Sequence, residues 1–188
     1  MTTPLRQVRA VYDDATIRVY QAYSHAIADA ALRAGRFAPP FSRTRMTWIK
    51  PSFLWMMYRA GWASKDDGQQ RILAIDITRD GFEWALRNAS TSQDPVLPDG
   101  SKPPVRVQWD PERDIHLHKL DHRSIQIGIG GAAVPRYVDS WTQRITDITE
   151  RVHEIKHRLD HADAAGAEAR LPVERVYPLP ADIAARIG

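Results

Sequence analysis

Short β-branched runs, separated by helix-punctuating residues and never merging into a long periodic stretch, constrain this chain more than any other feature. Thr16–Tyr20 is the first run and reads as a strand. Ser24 then opens a helix over His25–Ala34, with Ile27, Ala30, Ala31 and Ala34 at helical spacing and Gly35 as its stop. Thr44–Ile49 reads as a second strand. Pro51 suits the first turn of a helix that runs to Ala60 and closes at Gly61. Arg71–Ile77 reads as a buried strand, and Thr78 or Asp80 caps the next helix, about Gly81–Asn88. Val105–Trp109, Ile115–Leu120 and Ser124–Ile129 read as successive strands. Val134–Asp160 reads as a last helix with a break near Thr146–Thr149. Strand–helix alternation followed by consecutive strands predicts an α+β fold: a mixed, partly antiparallel sheet with flanking helices.

At 188 residues the chain is long enough for one core without staples, and it has no cysteine to form a disulfide or a thiolate metal site. One α+β domain is expected over residues 1–165, with a Pro/Ala-rich tail over 166–188 that packs on it or is partly mobile. Residues 90–104 hold four prolines and form the one long loop, a candidate lid. Its apolar runs are too short to cross a bilayer, so no membrane is expected. The opening residues lack the apolar stretch of a leader, so the expected compartment is the cytoplasm.

The net charge of +3 is unevenly spread. Residues 1–65 carry ten basic side chains against three acidic ones, a balance of +7, and the rest of the chain balances at −4. That gradient favours an anionic partner for the N-terminal third: a phosphate-bearing small molecule, a nucleotide or a nucleic acid. The competing reading is a solvated basic surface.

The densest constellation is Phe41–Trp62, which joins Arg43, Arg45, Lys50 and Arg59 to Trp48, Trp55, Tyr58 and Trp62. On a strand, Arg45, Thr47 and Ile49 share one face. On the helix, Trp55, Tyr58, Arg59 and Trp62 form a single stripe, with Phe53, Met56, Met57 and Ala60 on the buried side. Cations beside flat rings suit a ligand with both phosphate and base, or unpaired nucleotides stacked on the rings. The competing reading for each tryptophan is core packing. The helix start after Lys50, with Ser52, adds an expected anion site.

Other motifs are weaker. Lys65-Asp66-Asp67-Gly68 matches the short K-x-D-G pattern of covalent nucleotidyltransferases, but Asp-Gly is also an ordinary turn signal. Gly128-Ile129-Gly130-Gly131 can cradle phosphate or simply make a tight turn. His153, His157 and His161 share a helical face with zinc-compatible spacing, but a solvent-facing stripe is the favoured reading, and no metal is expected. His116 and His118 would point the same way from a strand beside His122, with no paired carboxylate in view.

The blocks RMTWIKPSFLWMMYRAGW, RILAIDITRDGFEWAL, VRVQWDPERD and RSIQIGIGG resemble the domain-of-unknown-function 4291 family of bacterial and fungal proteins across nearly the whole chain. At the level of fold, Thr16–Phe37 is also similar to the opening unit of ADP-ribosyltransferase-like domains: strand, Ser-capped helix, then a glycine before an aromatic. That second resemblance implies an NAD pocket. Gln21 or Tyr23 would close the first strand, Thr47, Ser52 and Tyr58 would supply the hydroxyl, and Gln126 would stand where those enzymes carry glutamate. An amide can hold ribose but is no base at neutral pH.

The expected site combines these readings. Arg43, Arg45 and Lys50 meet phosphates, Arg59 is a further ligand-binding residue, and Trp48 or Tyr58 stacks a ring. Gln21, Tyr23 and Ser52 bind, and Gln126, Tyr58 and Thr47 are the candidates for any transfer chemistry. The function expected is nucleotide-type ligand binding, with NAD the implied cofactor. RNA or single-stranded nucleic-acid binding is the first alternative. A protein-interaction or homodimer surface, where Trp, Tyr and Arg are enriched, is the second.

Overall fold

The computed structural model describes residues 4–90 and 103–188, so the candidate lid falls almost entirely outside the described residues. The chain opens with β1 (Arg9–Ala10) and β2 (Thr16–Tyr23), followed by α1 (His25–Ala34). Next come β3 (Thr47–Ile49), α2 (Phe53–Ala60), β4 (Arg71–Thr78), α3 (Arg79–Arg87) and β5 (Ala89–Ser90). The long strands β6 (Val105–Arg113) and β7 (Lys119–Ile129) lead into α4 (Ala133–Arg136) and a π-helical turn, Tyr137–Trp141. The chain then forms β8 (Thr142–Asp147), α5 (Thr149–Asp160), α6 (Ala164–Glu168), β9 (Arg175–Val176) and α7 (Ala181–Ile187). Strands order β2-β4-β8 in one antiparallel sheet and β3-β7-β6-β5 in a second, mixed one, where only β5 and β6 run parallel. The fold is α+β, with mixed, mostly antiparallel sheets and flanking helices.

Local signals account for the first half. Gly35 and Gly61 take φ of 65° and 55°, the left-handed conformation that ends α1 and α2. The Thr78 hydroxyl caps α3 by accepting from the Gly81 N–H at 3.1 Å. Strand β4 is buried on both faces between β2 and β8, which explains its continuous apolar run. Its one internal carboxylate, Asp76, accepts from Arg18 of β2 and Arg144 of β8 on either side. Gly81 is required by packing: a Cβ there would lie 2.3 Å from Trp141 Cγ. Alanine favours a helix over glycine by about 1 kcal/mol. Gly81→Ala is nevertheless expected to cost about 2 kcal/mol net through overpacking, read as a lowered urea midpoint. An unchanged midpoint would contradict this.

Several expected elements are corrected. Thr44–Met46 is not strand, because β7 stops pairing where Thr47 faces Ile129 and leaves no ladder for the preceding residues. Arg45 therefore sits on a loop. Ile115–His118 is a turn, in which the Asp114 carboxylate accepts from the His116 and His118 backbone N–H groups at 2.8 Å each, and His116 and His118 do not share a strand face. The expected long helix over Val134–Asp160 is interrupted by β8, which adds to the free edge of β4. Pro51 precedes α2 rather than entering it, because Ser52 is the N-cap. The tail crosses the domain: β9 pairs with β1, and Tyr177, Ile183 and Ile187 are buried in the main core.

Candidate functional site

The two sheets meet at Lys50. Tyr20 N–H donates to Lys50 O at 2.7 Å and Lys50 N–H to Tyr20 O at 3.3 Å, a single antiparallel bridge joining β2 to the end of β3. Beside this junction opens a cleft of about 780 Å³, within the size range of small-molecule sites. Gln21 and Tyr23 come from the end of β2, Arg45 and Met46 from the loop, and Thr47, Trp48 and Lys50 from β3 and just beyond it. Met56 and Arg59 come from α2, and Gln108 and Gln126 from facing positions on β6 and β7.

The cleft floor is a hydrogen-bonded chain. Tyr137 Oη donates to Gln21 Oε1 at 2.6 Å, and Gln21 Nε2 donates to Thr47 Oγ1 at 2.5 Å and to Trp48 O at 3.3 Å. Tyr23 Oη lies 2.9 Å from the same Thr47 oxygen. Burial pushes both phenols well above the ordinary tyrosine range, so they stay protonated. Among the described residues, the hydrogen-bond partners of Thr47, a catalytic candidate, are thus neutral. On the wall, Asp110 fixes the Gln126 amide: Gln126 Nε2 donates to Asp110 Oδ2 at 2.8 Å and to Gln108 Oε1 at 3.0 Å. A carboxylate only accepts, so Gln126 must turn its nitrogen to Asp110, which leaves Gln126 Oε1 and Gln108 Nε2 for other partners.

The electrostatics centre on Lys50. It is 6% exposed, and among the described residues its Nζ donates to Trp48 O alone, at 3.4 Å. Burial and the like charge of Arg59 outweigh the attraction of Asp110 and lower its pKa to about 8. No ion pair joins Lys50, Arg45 or Arg59 to a carboxylate among the described residues.

Three of the expected site residues stand elsewhere. Arg43 forms a two-pronged ion pair with Asp139, at 2.6 and 2.7 Å, and does not line the cleft. Tyr58 is half-exposed on the far side of α2, stacked on Trp55 at 5.1 Å with the Arg113 guanidinium 3.6 Å from its ring centre. Ser52 is buried, donating to Glu112 Oε1 at 2.9 Å and accepting from Trp55 N–H. The expected anion site at the α2 N-terminus is taken by the chain itself: Glu174 of the tail accepts from Phe53 N–H at 2.7 Å. The Trp55/Tyr58/Arg59/Trp62 stripe is not a surface either, since Trp55 and Trp62 are buried and Trp62 lies past the left-handed turn at Gly61.

The remaining motifs resolve locally. Asp66 closes a turn by accepting from Gly68 N–H and Gln69 Nε2, and these three residues rim the cleft while Lys65 does not. Gly128 and Gly130 make room for Met46 and Trp48, whose atoms would lie 2.8 to 3.0 Å from an added Cβ, so those side chains cover the glycine run. His157 and His161 stack on each other, and among the described residues no group of three His, Asp or Glu is placed to hold a metal. Reasoning from the sequence missed Gln108, Asp110 and Gln69. Gln108 and Asp110 alternate on one face of VRVQWD, but only the register with β7 brings them to Gln126.

No helix among the described residues is long and apolar enough to cross a membrane. None of the curated proteins compared matches the chain. Residues 7–177 match the family model described as Domain of unknown function (DUF4291), which spans both sheets and every residue of the cleft, and the chain belongs to that family.

Proposed function

We propose that the cleft binds an anionic, nucleotide-type ligand, with NAD the form that the resemblance to ADP-ribosyltransferase-like domains suggests. The observation that carries this reading is Lys50, buried in the same cleft as Arg45 and Arg59, with none of the three paired to a carboxylate among the described residues. Burying a charge without a partner is costly, and a bound phosphate would offset that cost. The amides of Gln21, Gln69, Gln108 and Gln126 suit ribose hydroxyls and base edges, and Trp48 and Met46 supply apolar wall. The reading is of a binding cleft, because Gln126 is an amide, Tyr58 lies outside it and the hydrogen-bond partners of Thr47 among the described residues are neutral.

Calorimetry with NAD, ATP and ADP tests the proposal. Binding is expected, and Lys50→Met or Arg59→Ala should weaken it at least about tenfold, the worth of one charge-assisted hydrogen bond. Affinity should also fall as pH rises from 7 to 9, because Lys50 loses its proton near pH 8. Folded protein that gives no heat with any nucleotide refutes the reading. Binding of single-stranded RNA with steep salt dependence, and of no nucleotide, would favour the nucleic-acid alternative.

A further inference from the structure

We propose that Lys50 is a nucleophilic amine that forms a Schiff base with a phosphate-bearing aldehyde or ketone held in the cleft. The inference rests on the reading of this cleft as an anion site and adds a covalent step to it. Among the described residues Lys50 is the one lysine that lines the cleft; Lys65 and Lys119 are exposed and Lys156 is paired with Asp160 on the surface. The chain's basic side chains are otherwise overwhelmingly arginine. Arginine would hold an anion with two parallel bonds and never lose its charge, whereas lysine at a buried position can become a neutral amine. Lys50 is also held at its backbone. Its backbone is bridged to Tyr20 in both directions, and Pro51 follows it.

The surroundings favour the neutral form. The groups facing Lys50 are Arg59 from α2, Arg45 from the loop, and Asp66 and Asp110 from the turn and β6. Burial and Arg59 together leave about half of the amine unprotonated near pH 8. With one long bond to Trp48 O and no carboxylate partner among the described residues, little holds the nitrogen back from a reactant. In the reaction, the Nζ lone pair attacks the carbonyl carbon to give a carbinolamine. One nitrogen proton passes to the oxygen as the carbinolamine forms; the hydroxyl then leaves as water with the second nitrogen proton, and the C=N bond forms. The cations Arg45 and Arg59 hold the phosphate during these steps.

Pyridoxal 5′-phosphate, which carries both an aldehyde and a phosphate, is the probe. The wild-type protein is incubated with it, reduced with borohydride and mapped by peptide mass spectrometry. The expected result is one dominant adduct on Lys50, with half-maximal labelling near pH 8 and slower labelling in the presence of ATP. Pyridoxal, which lacks the phosphate, should label Lys50 at least about tenfold more slowly. Adducts on Lys65 or Lys119 with Lys50 unmodified would overturn the proposal. So would a labelling midpoint near pH 10, the ordinary lysine value, or equal labelling by pyridoxal. Lys50→Met should remove the adduct, and the wild-type map decides the matter if that variant does not fold. Calorimetry on the same protein separates the two readings. Nucleotide heat with an unreactive Lys50 overturns only the covalent step, and an adduct without nucleotide heat overturns only the nucleotide reading.

Discussion

Deleting residues 172–188 is expected to cost about 5 kcal/mol or more, enough to unfold many domains of this size. The deletion removes Tyr177, Ile183 and Ile187 from the main core, each worth about 2 kcal/mol in apolar burial alone. It also orphans polar groups that the tail satisfies. Tyr177 Oη accepts from Arg79 Nε at 2.9 Å and donates to Glu83 Oε1 at 2.7 Å, and Trp109 Nε1 donates to Ile187 O at 2.8 Å. At the α2 N-terminus, Phe53 N–H loses Glu174. Urea unfolding followed by tryptophan fluorescence measures the effect, and a truncated chain with the full-length midpoint would refute it. The tail also confers a pH dependence. Burial, helped by the nearby Glu112 and opposed by Phe53 N–H, raises the Glu174 carboxyl to about 8. The folded state therefore holds this proton more tightly than the unfolded chain does. Its stabilisation is complete below the unfolded value, about 4.3, and is lost as pH rises through about 8. Full-length protein should lose stability between pH 5 and 9, and Glu174→Gln should flatten that decline.

The second large effect is at the centre of the β2-β4-β8 sheet. Asp76→Ala is expected to destabilise by about 3 kcal/mol, because Arg18 and Arg144 would lose the one carboxylate between them. The cost lies at the low end for a broken buried ion pair because Arg144 is 68% exposed and can regain water. Thermal unfolding should show the loss, and a change within a few tenths of a kcal/mol would contradict it. Burial pushes the Asp76 carboxyl up, but hydrogen bonds from Arg18 and Arg144 outweigh it and hold the group below the ordinary aspartate value. Its contribution is thus present in full above about pH 4 and disappears as acid protonates it below that. The variant should lie parallel to the wild type at neutral pH and converge with it in strong acid.

Much of the cleft was legible because local rules and local chemistry coincide there. Gln21, Tyr23, Arg45, Thr47, Trp48, Lys50, Arg59 and Gln126 were all named from the sequence, and all of them line it. Most come from β2, β3 and α2, whose ends Ser52 and Gly61 help mark, while Arg45 sits on a loop and Gln126 within β7. The exceptions share one cause. Arg43, Ser52, Tyr58, Trp55 and Trp62 carry the right functional groups, but partners distant in the chain claim each of them or the space around it: Asp139 for Arg43, Glu112 for Ser52, Arg113 for Tyr58, and the interior for the two tryptophans.

By itself, then, the sequence determined the elements whose start and stop signals lie within a few residues, together with the Arg/Lys-rich segment that feeds the cleft. Hydrophobic period, caps and left-handed glycines act over one or two turns and can be read without knowing the fold. Only the tertiary structure decided which edge β8 would complete, which acceptor would occupy the α2 N-terminus, and which cations among the described residues would be left without carboxylates. Those outcomes depend on pairings across long stretches of chain, such as Asp76 with Arg18 and Arg144, Phe53 with Glu174, and Gln108 with Gln126. Hydrogen bonds and charges are satisfied by whatever the folded chain brings near, and sequence spacing does not encode that proximity.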